Sequence, residues 1–237
     1  NIQIVKIIDV PLPPLDEQKR IVSKIEELFS KINSIKQSVE QTKLQLEQYR
    51  QSLLNNLLQQ LSLKHPSEKL VNLCIKISDG THFTPKYVQD GIPFISVKDI
   101  QNEKIYFDNC KYVSKETHDN LIKRCHPEFG DLLITKSGTI GRMAIVDTKI
   151  PFSLFVSVAL IKPLKNINRK YLKYILENFL NHIDVSQEIK GTAIKNFHLE
   201  DIRNVIIPIP PDSKQQEIVS TIEQNFLLVD NSEKIIN

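Results

Sequence analysis

The chain is poor in cysteine, carries little excess charge and, over one long stretch, has no glycine or proline. Each shortage excludes something. Three cysteines occur in 237 residues, Cys74, Cys110 and Cys125. They are odd in number, widely spaced and form no CxxC pair, which argues against a disulfide framework or a zinc knuckle and fits a reducing cytoplasm. No apolar run approaches the ~20 residues that span a bilayer, and no signal-peptide pattern opens the chain. The formal net charge of +3 permits a nucleic-acid partner without demanding one, while a hydrophobic fraction of 41% supports a real core. Glycine and proline are missing altogether from residues 15–61, so nothing there interrupts a helix.

A short segment occurs twice. Pro11-Leu-Pro-Pro-Leu-Asp-Glu-Gln18-Lys-Arg-Ile21-Val22-Ser23-Lys-Ile25-Glu26 is followed by Phe29, and Pro208-Ile-Pro-Pro-Asp-Ser-Lys-Gln215-Gln-Glu-Ile218-Val219-Ser220-Thr-Ile222-Glu223 by Phe226. Ten of 23 aligned positions are identical at an offset of 197 residues. A repeat this short is too small for two domains and reads as two copies of one helical element flanking a globular domain. After the first copy, apolar residues recur at Ile21, Ile25, Leu28, Ile32, Ile35, Val39, Thr42, Leu46, Tyr49 and Leu53, in alternating steps of four and three. That is a heptad seam on a helix of about 46 residues, roughly 69 Å long, and such a seam wants a partner helix. The second helix, from about Ser213, places Ile218, Ile222, Phe226 and Val229 on one side. It covers only about half of that seam, leaving the rest for a second molecule or a neighbouring subunit.

Four regions are expected: a tail strand or extended lead-in over 1–14, a long coiled-coil helix over 15–62, a globular domain over 63–210 and a shorter second helix over 211–237. Within the globular segment, short β-like runs over 92–97, 105–107, 131–135, 143–146 and 157–161 alternate with turn residues, and helices are expected over 114–124 and 169–184. This predicts an α+β fold, with one mixed, mostly antiparallel sheet domain carrying peripheral helices.

Two stretches of the globular segment, Ser78-Asp-Gly-Thr-His-Phe-Thr-Pro-Lys-Tyr87 with Gly91-Ile-Pro-Phe-Ile-Ser-Val-Lys98, and Gly130-Asp-Leu-Leu-Ile-Thr-Lys-Ser-Gly-Thr-Ile-Gly-Arg142, resemble target-recognition signatures of the specificity subunits of Type I restriction–modification enzymes. The proline-rich lead into Glu17-Gln18-Lys19-Arg20-Ile21-Val22 resembles that family's conserved helical region. The resemblance implies a non-catalytic, cofactor-free subunit that recognises double-stranded DNA and docks methyltransferase subunits and, through them, restriction subunits. It further implies two recognition domains in a full subunit, spaced by antiparallel helices, each reading half of a split site. With one such domain, this chain looks like the C-terminal half of a specificity subunit, or a half-sized one, acting as an antiparallel homodimer through the long helix.

Charge localises the DNA expectation. Residues 63–210 hold 21 Lys and Arg against 16 Asp and Glu, a surplus of five, and lysine and arginine neutralising phosphates drive DNA affinity. In Thr135-Lys136-Ser137-Gly138-Thr139-Ile-Gly-Arg142 the glycines allow close backbone approach, hydroxyls and amides suit phosphate, and Lys136 and Arg142 supply charge or reach guanine edges. The same residues also suit a tight β-turn with Lys136 merely solvated. Thr81, His82, Thr84 and Lys86 form a second polar cluster, in which His82 could equally be a surface histidine, and Lys98 closes the adjoining motif. Lys190, Thr192 and Lys195 suit a third, phosphate-facing loop, or an ordinary one.

Enzymatic readings find no footing in the motifs. A DNA methyltransferase needs an Asn/Asp-Pro-Pro-aromatic motif, whereas Pro13-Pro14 lies between Leu12 and Leu15. A nuclease of the Asp…Glu-x-Lys kind needs an acid two residues before its lysine, where Lys136 has Ile134. Gly138-Thr-Ile-Gly141 matches a GxxG clamp but lacks a helix–loop–helix setting. His118 with Cys125 and His126 lacks credible metal-ligand spacing. The other class that fits is a coiled-coil assembly scaffold whose globular domain binds protein instead of DNA.

Overall fold

A computed structural model describes residues 11–188 and 197–236, with the side chains of 181–188 and 236 outside that description. The lead-in over 1–10 falls outside it too. Helix α1 (Leu15–Lys64) runs unbroken for 50 residues, with Asp16 and Glu17 in its first turn, where the helix dipole favours negative charge. The chain divides into two compact units. One comprises, among described residues, 11–49 with 229–236; the other is Arg50–Leu228. In the first, Ile21, Ile25, Leu28, Ile32 and Ile35 lie exposed along α1, and Val39 and Leu46 are half-buried.

The second unit is built around an antiparallel sheet of β2 (Cys74–Asp79), β8 (Leu132–Thr135), β9 (Met143–Ile145) and β11 (Val158–Pro163), ordered β2-β11-β8-β9. Both faces are covered, so its central strands read as unbroken apolar runs without alternation. Leu132, Ile134, Ala159 and Ile161 face one core. Leu133, Val158 and Leu160, one residue out of phase, face the other. The first core is closed by α3 (Arg169–Glu188), through Tyr171, Leu172, Ile175 and Leu176; by Leu54 and Leu61 of α1; and by Ile218, Val219 and Ile222 of α5 (Asp212–Ile236). Tyr171 anchors α3 by donating its hydroxyl to the Pro208 carbonyl at 2.8 Å.

The second core packs against a smaller sheet ordered β10-β4-β7-β3, from β3 (Tyr87–Val88), β4 (Ile92–Ile95), β7 (Lys111–Val113) and β10 (Ser153–Leu154). Its β10–β4 pair is parallel and the others antiparallel. Two small ribbons, β1 (Ser67–Lys69) with β12 (Ile206–Pro208) and β5 (Ile100–Gln101) with β6 (Lys104–Ile105), complete the strands. Helix α2 (Lys115–Leu121) is capped by the Ser114 side chain, which accepts from the Thr117 amide, and α4 (Leu199–Arg203) precedes β12. The mixed, antiparallel-dominated fold agrees with the sequence expectation, as does the long N-terminal helix.

The three cysteines are free thiols. Burial pushes Cys74 up to about 12 and raises Cys125, which keeps both protonated at neutral pH.

Candidate nucleic-acid interface

One edge of the central sheet gathers the charged loops. β2 ends there on Asp79, and β8 ends there on Thr135, because β11 starts between them with Ala159 opposite Asp79 and Val158 opposite Thr135. After Asp79 the backbone passes so close to β10 that a Cβ on Gly80 would stand 2.1 Å from the Leu154 carbonyl oxygen, so only glycine fits. The Thr81 amide donates to that oxygen at 3.0 Å, and the Val156 amide donates to the Thr81 carbonyl at 2.9 Å. Buried Thr81 thus fixes the base of a loop whose His82 and Lys86 are exposed.

The turn from β8 to β9 is organised by the fully buried Thr135. Its hydroxyl donates to the Thr139 carbonyl at 2.6 Å and accepts from the Arg142 amide at 2.9 Å. Gly138 and Gly141 adopt φ of +77° and +87°, which a side chain would strain. Gly138 and Thr139 are exposed at the turn tip, and Ser137 is half-buried. Arg142 folds back so that its guanidinium donates to the Ile100 carbonyl at 3.3 Å.

Lys136 points inward. Its ammonium lies 3.1 Å from Asp79, and its side chain is 14% exposed. Asp79, at 2% exposure, also accepts from Arg124 Nη2 at 2.6 Å, and His82 Nε2 lies 3.2 Å from its second oxygen. Arg124 and His82 touch each other at 3.1 Å. Burial alone would raise the Asp79 pKa. Hydrogen bonds from Lys136 and His82, the Lys136 charge and Arg124 together outweigh it and hold the carboxyl below its ordinary value. Asp79 therefore stays ionised.

The fold thus brings Thr81, His82 and Lys136 together and sets Ser137, Gly138 and Thr139 on the same turn. Lys98 is exposed and donates to the Asn109 carbonyl at 3.2 Å. Lys190, Thr192 and Lys195 fall outside the described residues. Asp79 and Arg124 were not among the sequence candidates. They lie 45 residues apart, so no spacing signals them and only the sheet joins them.

Of the candidate helix-pairing residues, Ile21, Ile25, Leu28, Ile32, Ile35 and Tyr49 are exposed. Leu53 packs on the first core, where Ile218 and Ile222 are buried. Phe226 meets Tyr174 edge-on at 5.8 Å and lies under the Arg50 guanidinium at 5.1 Å. Among the described residues, no group of three or more His, Cys, Asp or Glu is placed to hold a metal.

Comparison with known proteins bears on the chain as a whole. Residues 75–237 match the model of the Type I restriction modification DNA specificity domain. Similar proteins include the Type I restriction enzyme EcoBI specificity subunit of Escherichia coli, 30% identical over 96% of this chain and 53% of that protein. The EcoKI specificity subunit of Escherichia coli (strain K12) is 23% identical over 98% and 53%. The chain spans about half the length of the curated relatives it matches. Among solved structures, a chain from work on complex assembly and conformational transition of the type I R-M system superposes with a TM-score of 0.72 at 22% identity, covering 96% of this chain and 56% of that one. The HsdS subunit from Thermoanaerobacter tengcongensis gives 0.58 at 22% identity, over 95% and 55%. At these identities the structural likeness speaks to the fold alone. The family model, in contrast, covers well over half of the chain, and on that ground the chain belongs to the Type I restriction–modification DNA specificity domain family.

Proposed function

We propose that this chain is a non-catalytic DNA-recognition module of a Type I restriction–modification enzyme. Its globular part reads one portion of a bipartite target, and its helices dock methyltransferase subunits and, through them, restriction subunits. The observation that carries this reading is the match of residues 75–237 to the DNA specificity domain. The geometry supports it: basic side chains from three separate loops, Arg124, Lys136 and His82, converge at one sheet edge, within a segment of surplus positive charge. Phosphate neutralisation there supplies affinity, and lysine or arginine at groove edges supplies base discrimination.

The exposed seam of α1 supports a second element of the proposal. Ile21, Ile25, Leu28, Ile32 and Ile35 form an apolar stripe on one helix, and such stripes mark association surfaces. In this reading two copies pair antiparallel through α1, giving two recognition domains and a two-part target. A cytoplasmic setting accompanies it. No helix among the described residues is long and apolar enough to cross a membrane. A protein-binding coiled-coil scaffold is the competing reading, favoured by the same stripe.

The deciding experiment is co-expression with methyltransferase subunits, followed by co-purification and sequencing of methylated sites. A single two-part methylated sequence, lost when this chain is omitted, is the expected outcome. No methylation and no salt-dependent retention on duplex DNA would leave the scaffold reading standing.

A further inference from the structure

We infer that Arg124 is a DNA-backbone contact and that Asp79 is the positioning residue that holds Arg124, His82 and Lys136 as one phosphate site. This rests on the DNA-recognition reading and goes beyond it, to a carboxylate that works by staying away from the DNA. Asp79 is 2% exposed and bonds three basic side chains carried by three separate stretches of chain: the loop after β2, the segment after α2 and the β8–β9 turn. One carboxylate faces two permanent cations, so the cluster keeps a net positive charge. That excess is displayed by Arg124, whose side chain is 57% exposed, while Lys136 is nearly enclosed.

Arg124 gives Asp79 a bond from Nη2 alone, and the His82 ring nitrogen stands 3.1 Å from that same nitrogen. Nε and Nη1 of the guanidinium meet no acceptor among the described residues. A guanidinium held at Nη2, with Nε and Nη1 left to reach outward, is pre-organised to bond a phosphate oxygen. Beside it stands the exposed His82 ring. Without Asp79, the Lys136 ammonium would be left enclosed without that counter-charge, and Arg124 would lose the contact that sets its direction.

The two roles make opposite predictions from plain charge counting. Removing a negative charge near a DNA surface should tighten binding, whereas removing a positioning residue should weaken it. The test is fluorescence anisotropy of the full chain with a labelled random-sequence duplex across a salt series, for wild type, Asp79→Asn, Arg124→Ala, Arg124→Lys and Lys123→Ala. Thermal melts accompany each variant. The expected result is an Arg124→Ala affinity loss of about 5-fold, a log–log salt slope smaller by about 0.9, and partial recovery with Arg124→Lys. Asp79→Asn is expected to bind more weakly than wild type, and Lys123→Ala to change affinity less than Arg124→Ala.

Arg124→Ala behaving like Lys123→Ala, or Asp79→Asn binding as well as or better than wild type, overturns the proposal. If Asp79→Asn fails to fold, the solvent-facing Arg124 variants decide alone. A wild-type chain that shows no salt-dependent DNA binding refutes the DNA reading itself, which is a different outcome.

Discussion

The two copies of the repeated segment share ten of 23 residues yet lie in opposite environments. Ile218, Val219 and Ile222 are 4%, 1% and 2% exposed; their counterparts Ile21, Val22 and Ile25 are 41%, 53% and 45% exposed. The local structure is the same in both. Each helix opens just after the prolines, and a glutamine reaches back five residues to a proline carbonyl: Gln18 to Pro13 at 2.7 Å, Gln215 to Pro210 at 3.0 Å. Among the described residues, only Gln215 is also bonded by a neighbouring loop, accepting from the Asn168 amide at 2.8 Å. Local sequence therefore sets the helix start, while burial depends on what lies against the helix. The motif carries the same apolar face in both copies, buried in the first core at the C-terminal copy and exposed at the other.

Matched substitutions in the two copies should break this symmetry. The largest effect is expected from Ile222→Asp, which puts a charge into the first core and should cost more than about 3 kcal/mol or abolish cooperative melting. Ile25→Asp, at the matching exposed position, should shift stability by no more than about 0.5 kcal/mol in dilute melts. Equal losses in both would show that the exposed face is part of the folded core. Gln215→Ala leaves the Asn168 amide without its acceptor and should cost about 1–3 kcal/mol, against about 0.5–1 kcal/mol for Gln18→Ala, by urea titration.

A pH series sharpens the contrast further. Buried His118 bonds Ser153 at 2.8 Å, and burial lowers its pKa, with smaller opposing contributions from Asp119 on one side and His126 and Lys115 on the other. The unfolded chain then binds the extra proton more readily, so His118 contributes stability at neutral pH that declines as pH falls below about 6.5. His118→Gln should flatten that decline, seen as melting temperature against pH. The smallest effect is expected on the exposed helix. Glu27 bridges Lys24 and Lys31 in full solvent, and Glu27→Gln should leave the melting curve unchanged within error.

The rod was legible in the sequence because its cues are local: an uninterrupted run, a four–three seam, and prolines with acids at the start. The seam departs from strict heptads where α1 meets the domain. There the stripe widens to Leu53, Leu54, Leu57, Leu58 and Leu61, as a helix packed on a broad core requires. Strands β8 and β11 were legible from their unbroken apolar runs. Strands β3, β7 and β10 were not, since two or three residues carry no periodicity. β2 was missed because its half-exposed, lysine-bearing start hides a buried end at Ile77, Ser78 and Asp79. The β8–β9 turn announced itself through glycines that the structure holds at positive φ. The inward direction of Lys136 and its sharing of Asp79 with Arg124 did not, because a buried counter-charge is created only by tertiary folding.

The measurement that bears most directly on the proposed pairing through α1 is sedimentation velocity of the wild-type chain at micromolar concentration, beside a variant carrying Ile25→Asp and Ile32→Asp. Pairing through α1 predicts a concentration-dependent species of twice the 27.3 kDa chain mass for wild type, and none for the variant. A wild-type chain that stays monomeric throughout, or a variant that still dimerises, would contradict it.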